Sequence, residues 1–401
     1  MMLKVVSVED ADRIIKEKLS LVAEKYEEVE LDCLTGRILG EDIASLENVP
    51  SFDRVTVDGY AVLSSDTFGS SETMPAQLTV KGEILMGQSA AASLCTGECI
   101  KISTGGMLPK GADSAVMVEN TEEAFDGSCL VYKAVSPFEN VTKTGDDVKQ
   151  GDTVLKKGTL ITSKHIGVLA SLGITKVRCL KRPCAGIISS GDEVVPASQK
   201  PGNGQVRDVN SHILSALCTE NACECKSYGI IGDDYEKLLS AVKSASSECD
   251  ILLLSGGSSA GARDMTVKVI SDLGEVYVHG VAMKPGKPTI IGKIGKCAVF
   301  GLPGHPAAAY FTALRFVVPY IKMLNGQPAD CKCVRAVTGV NVSSNHGREE
   351  FVPVRLVDGV AQPILRKSGV ISLLCEADGY MVIDRNKEGL RAGEAVEVRL
   401  F

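Results

Sequence analysis

The sequence predicts a multidomain α/β plus β protein. Its parts are a central α/β domain with a mostly parallel sheet, a β-rich domain, an elongated discontinuous N-terminal domain and a small C-terminal β domain. Three observations predict this. From 184 to 306, short apolar runs alternate with helical patterns, the mark of parallel strands joined by crossover helices. Residues 51–147 show only short apolar runs broken by glycine and polar turns. Beyond Pro319 the runs CVRAVTGVNV, EEFVPVRLV and EAVEVRL return to strand texture. The domains are therefore drawn at 1–50 with 148–182, 51–147, 183–327 and 328–401, a count that 401 residues can supply.

In chain order, Ser7 to Asp10 reads as a helix cap, and Ala11, Ile14, Ile15, Leu19 and Val22 share one face of the helix that follows. LDCLTGRILGEDI reads as a strand and a turn around Gly36 and Gly40. In the β-rich domain AVL, QLTVKGEILM, CIKIS, SAVMVEN and CLVYKAV read as strands. Residues 151–162 look like a hairpin, and 163–172 like a capped helix stopped by Gly173. That segment is expected to return to the N-terminal helix. Strands are expected at 184–189 and 227–231, and helices at 211–219 and 235–245.

The most informative stretch runs from 250 to 306. ILLL at 251–254 has the continuous apolar character of a buried parallel strand. Gly256 and Gly257 follow, where a missing Cβ allows close approach of backbone to a ligand. Asp264 then heads a helical pattern of Met265, Val269, Ile270 and Leu273, so backbone N–H groups would face an anion. The next loop brings Lys284 and Lys287, spaced by Pro285-Gly286 and closed by Pro288, as a phosphate clamp. Gly301-Leu-Pro-Gly-His-Pro306 is a third turn, entering another helix. Three such turns would meet at the carboxyl edge of one sheet, where open α/β folds bind ligands.

The hydrophobic fraction of 44% and charged fraction of 23% are those of an ordinary globular protein. A formal net charge of −7 excludes a general nucleic-acid binder. The start MMLKVVSVED has no apolar signal core, and no apolar run approaches the ~20 residues that span a bilayer, so a cytoplasmic protein is expected. The 14 cysteines then read as reduced thiols, mostly small core residues, and neither Cys223-x-Cys225 nor Cys331-x-Cys333 has the usual zinc spacing. Gly257-Ser-Ser259-Ala-Gly261 fits the G-x-S-x-G elbow of a serine hydrolase, but no strong acid-then-histidine pair follows in order, although His279 and His305 are available, and no glycine-rich oxyanion loop precedes it. The scattered histidines leave carboxylates as metal ligands, which favours Mg²⁺. Asp233 or Asp234, Asp264, Glu193, Asp58 and Asp147 are the candidates, against solvated loop acids or simple turn residues.

FDRVTVDGYA, ISTGGMLPKGADSAVMVE, TGDDVKQGD, ISSGDEVV, RDVNSHIL, LSGGSSAGARD, MKPGKP and FGLPGHP occur in this order. With GREEFVPVRL and KSGVISLLCEADGYMVI in the tail, the chain resembles the molybdopterin molybdenumtransferases, the family that includes the C-terminal domain of gephyrin. The resemblance implies insertion of molybdate into adenylylated molybdopterin, with Mg²⁺-dependent release of AMP. It implies catalytic roles for Asp58, Asp147, Asp264, Lys284 and Lys287, and metal or pyrophosphate binding by Asp233 and Asp264. Thr104, Glu193, Asp208, Asn210, Ser255, Gly256, Gly257, Pro303, Pro306, Arg348 and Ser368 would contact substrate. It also implies a homodimer in which the β-rich domain of one chain covers the α/β site of the other, and a molybdopterin adenylyltransferase as upstream partner. No membrane or nucleic-acid partner is expected. Three departures stand out: Val55-Thr56-Val57 where the family has Ser-Ala-Met, His305 for asparagine, and Lys367 for glycine before Ser368. A paralogue acting on tungstate, a binding scaffold and an α/β serine hydrolase are the alternatives.

Overall fold

The computed structural model describes residues 5–19, 25–256, 260–366 and 371–401. They form two compact units, Glu28–Cys179 and the remainder, Met1–Glu27 with Leu180–Phe401.

In the larger unit the core is a six-stranded sheet. Glu224–Ile231, Cys184–Ser190, Ile251–Gly256 and Cys297–Leu302 lie side by side in parallel. Ile290–Ile294 and then Glu275–His279 extend it, each antiparallel to its neighbour. Two reversals restore direction, so Glu275–His279 ends on the same edge as the parallel strands. The strand end at Gly256, the lysine loop and the Pro303–Pro306 turn therefore share that edge. Both faces are covered. One carries Leu253, Phe300, Leu214, Phe316 and Tyr320, the other Leu252, Val299, Val242 and Ile270, which explains the unbroken apolar runs of the central strands.

The first helix, Val8–Lys18, is capped by Ser7, whose side chain accepts from the Asp10 N–H at 3.0 Å. Val8, Ala11, Ile15 and Leu19 bury themselves in the α/β core. Val6 bridges Val281, so this helix departs from the expected N-terminal domain: its apolar stripe has a sheet to cover.

The run Pro306–Leu324 corrects another expectation. Its 19 residues are enough by length and composition to cross a membrane, yet most of the run is buried inside the fold. It is a core helix, with a π segment Ala313–Val317 between Pro306–Thr312 and Val318–Leu324. Pro319 cannot donate to the helical ladder, and the wider turn before it accommodates that loss.

The C-terminal strands close on themselves. Glu349–Val357, Val360–Pro363, Cys333–Thr338, Ala395–Leu400 and Gly379–Ile383 pair in a ring, because the first also pairs with the last. Closure leaves no edge, and Val352, Val354, Met381, Ile383 and Val398 fill the interior. Met283–Lys284 attaches outside as a parallel strand on Glu349 and Glu350. Phe311 packs against Phe351, Tyr380 and Phe401 with ring centroids 5.5–6.3 Å apart, joining the long helix to this barrel.

The smaller unit holds a six-stranded mixed sheet from Gly59–Val62, Ala76–Ile84, Glu98–Ile102, Ser114–Met117, Thr121–Glu123 and Ser128–Val131. A separate core of Leu34, Leu39, Ile43, Leu155, Ile161, Leu169 and Val177 supports its stem. The expected hairpin at 151–162 does not form. Thr153–Leu155 pairs with Ile43–Ala44, and Leu160 bridges Ile38. Each arm thus zips onto 36–44 instead of its twin, because Leu155 and Ile161 must join the core made by Leu39 and Ile43. This segment also does not return to the first helix.

Candidate active site

The parallel strands end in small polar residues. Ser189 and Ser190 lie opposite Ser255 and Gly256 in register, and all but Gly256 are buried. Gly256 has φ +144°, and a Cβ there would stand 2.1 Å from the Ser190 carbonyl oxygen. Only glycine fits, which allows the two strands to stay paired up to their tips.

Asn210 begins the helix Asn210–Glu220 and is buried. Its Nδ2 donates to Ser255 Oγ at 2.7 Å and to the Gly304 carbonyl at 2.9 Å, tying helix, strand end and turn together. Asp208, also buried, accepts from the Ser211 N–H at 3.1 Å. Asn210 Oδ1 and Ser189 Oγ are buried without a hydrogen-bond partner among the described residues. Both residues line a cavity of about 420 Å³ with Glu193, Arg207, Asp208, Ser255, Gly256 and Pro306. Acceptors and hydroxyls left unmatched in such a wall suit a ligand with polar edges.

A second cavity, about 980 Å³, opens between the lysine loop and the barrel. Lys284, Lys287, Arg348 and Arg366 bring its positive charge, and His305, Pro303 and Pro288 also line it. The loop is fixed by Thr289, whose hydroxyl donates to the Gly286 carbonyl at 2.6 Å, and by the Val281 N–H donating to the Lys287 carbonyl at 2.9 Å. His305 lines both cavities, so the two are neighbours. Lys284 is not an open clamp: its Nζ stands 2.6 Å from Glu350 Oε1.

The acidic candidates divide. Asp233 is exposed at the end of Glu224–Ile231, and its N–H donates to Asp192 Oδ1 at 3.0 Å. Burial, and then repulsion from Asp192 and Glu193, push its carboxyl above the usual range. Asp264 is exposed, and it does not head its helix. Ala260–Leu273 starts four positions earlier, so Asp264 sits one turn in. The small residues Ala260, Gly261 and Ala262 carry no apolar period, which hid that first turn from the sequence. Among the described residues no three His, Cys, Asp or Glu side chains stand close enough to enclose a metal ion. Exposed carboxylates such as these are hard oxygen donors of the kind Mg²⁺ takes one or two at a time, with water and phosphate oxygens completing its shell.

In the smaller unit, Asp58 Oδ1 accepts from the Thr104 N–H at 2.7 Å and its hydroxyl at 3.1 Å. These bonds, the backbone one foremost, hold Asp58 below the usual carboxylate range. Asp147 is exposed, and its N–H donates to the Val49 carbonyl at 3.0 Å. Gly257 and Ser368 lie outside the described residues. Sequence reasoning missed Ser189 and Ser190, whose signal was two hydroxyls closing the apolar run CAGII, and Glu350, whose only signal was an acid two residues from Arg348.

Three family patterns tile the chain: the MoeA N-terminal region (domains I and II) over 6–173, the probable molybdopterin binding domain over 186–323, and the MoeA C-terminal region (domain IV) over 335–401. The molybdopterin molybdenumtransferase of Haemophilus influenzae is 32% identical over 91% of both chains. The chain belongs to the molybdopterin molybdenumtransferase family. Solved structures agree with membership of this family. Two MoeA proteins of molybdopterin biosynthesis from Pyrococcus horikoshii superpose with TM-scores of 0.86 and 0.85, at 39% and 31% identity. Each match covers 99% of this chain and 99% and 100% of the other. The multidomain α/β plus β architecture is that of these transferases, and the serine-hydrolase alternative falls with it.

Proposed function

We propose that the protein inserts molybdenum, taken as molybdate, into adenylylated molybdopterin, with Mg²⁺-dependent release of AMP. The observation that carries this reading is the pair of adjoining cavities that share His305. The polar cavity at the strand ends suits an extended heterocycle with donor and acceptor edges. The basic cleft beside it suits a small oxyanion and phosphate groups. Lys287 and Arg348 would hold the oxyanion there. Asn210, Ser189 and Asp208 would orient the organic ligand. Asp264 and Asp233 would hold Mg²⁺, which supplies charge neutralisation at the phosphoanhydride.

A homodimer belongs to the same reading. Asp58, Thr104 and Asp147 of one copy would complete the α/β site of the other, with two composite sites related by the two-fold axis. An adenylyltransferase that makes adenylylated molybdopterin would be the upstream partner. A cytoplasmic location fits the 14 free thiols.

The test is to incubate the protein with adenylylated molybdopterin and Mg²⁺, with molybdate, tungstate or neither, and to follow AMP. Release that requires both the metal ion and an oxyanion is expected. AMP release indifferent to the oxyanion, or none under any condition, overturns the reading.

A further inference from the structure

Among the described residues lining the basic cleft, four Lys or Arg side chains face one acid, Glu350. Arg366 takes its counter-ion from outside that lining, Glu376 at 2.7 Å. Lys284 takes its own from within, at 2.6 Å. The pairing is enforced by the backbone, since Lys284 is the register partner of Glu350 where Met283–Lys284 joins the barrel.

The two members are unequally held. Glu350 is 9% exposed and sits on a closed barrel strand. Its second oxygen accepts from the Ser344 hydroxyl at 2.8 Å. Lys284 has a side chain 47% exposed, on a four-carbon stem that carries its ammonium as a movable point charge. An anion entering the cleft therefore meets a fixed carboxylate and a lysine that is already occupied.

We infer that Glu350 is a built-in competitor for the oxyanion: it holds Lys284 in the ligand-free state and sets the affinity of the cleft by giving that lysine up. The inference rests on the reading of the cleft as the oxyanion site. It assigns Glu350 as a positioning residue acting through Lys284. It also gives the pair a purpose other than stability, since a half-exposed ion pair contributes little to folding.

The test measures binding of molybdate alone to the full-length protein by calorimetry at low salt. Glu350→Gln should bind molybdate roughly fivefold more tightly than wild type, the scale of one partly solvated charge interaction. Lys284→Ala should bind it more weakly by a similar factor, because the carboxylate then repels without a partner. The double variant should return near wild type, and Glu350→Asp, which keeps the charge, should not tighten binding. A merely structural role for Glu350 would weaken binding in every variant and lower the unfolding midpoint in parallel. Glu350→Gln binding no more tightly than wild type overturns the inference. Lys287→Ala and Arg348→Ala separate the two levels. If both weaken binding while Glu350→Gln leaves it unchanged, only the counter-ion idea fails. If neither weakens it, the cleft is not the oxyanion site and both ideas fall.

Discussion

Asp58 and Asp233 are both exposed loop acids, and their surroundings act on them in opposite directions. In the smaller unit, Thr104 donates twice to Asp58 and holds it below the ordinary carboxylate range. At the strand ends of the larger unit, burial and two like charges push Asp233 above it. The first carboxylate has neutral hydrogen-bond donors in the protein that favour its charged form. The second stands beside two further acids, Asp192 and Glu193, whose like charge opposes its ionisation.

The largest effect that tests this contrast is on turnover. Asp264→Asn should lower AMP release by about a hundredfold or more, the scale for losing a group that stabilises developing charge, with the fold kept because the residue is exposed. Unchanged Mg²⁺-dependent turnover would remove Asp264 from the site. Asp58→Asn should be inactive as well. If the site is shared between two copies, mixing the two inactive variants with subunit exchange should restore about a quarter of the activity, by the counting that two-fold symmetry imposes. A mixture that exchanges subunits and stays dead would place both residues in a site made by one chain.

Next comes stability. Asn210→Ala should cost roughly 1–3 kcal/mol in urea unfolding, since it strands Ser255 Oγ and the Gly304 carbonyl near a buried wall. Asp233→Asn should raise the thermal midpoint slightly without Mg²⁺, because it removes one of three crowded negative charges.

The smallest effect concerns pH. Asp58 has a folded-state pKa below its unfolded value, so its contribution is present above about 3.9 and disappears as pH falls through the folded pKa. Thr104→Val removes the hydroxyl donor and leaves the stronger backbone one. The small gap in midpoint between variant and wild type should therefore close as the pH is taken below 4. A gap that widens on acidification would show that Thr104 stabilises the loop by another route.

Local patterns predicted the strand ends well, because Ile251–Gly256 and Cys184–Ser190 are apolar runs whose closing glycine and hydroxyls are visible in the residues themselves. They failed where the partner of a segment decides its structure. The arms of 151–162 alternate like a hairpin, but alternation does not say which strand they pair with, and the core of Leu39 and Ile43 decided it. The first helix was legible as a helix, while its resting place on the α/β sheet depends on Val281 far along the chain. The Lys284–Glu350 pair is of the same kind. It exists only because two segments distant in sequence come into strand register.

The π segment at Ala313–Val317 lets one continuous helix serve two masters. Upstream, Phe311 faces the barrel aromatics; downstream, Tyr320 packs on Phe300 of the sheet, with ring centroids 5.7 Å apart. A π turn is one residue longer than the α turn it replaces. Winding the same residues as a regular α-helix would swing the downstream face by about 100° relative to the upstream one, whereas deleting one residue there would restore a regular helix with both faces in place. The helix is thus a gearing between the two lobes that wall the basic cleft, and its phase is written in the count of residues more than in their identity.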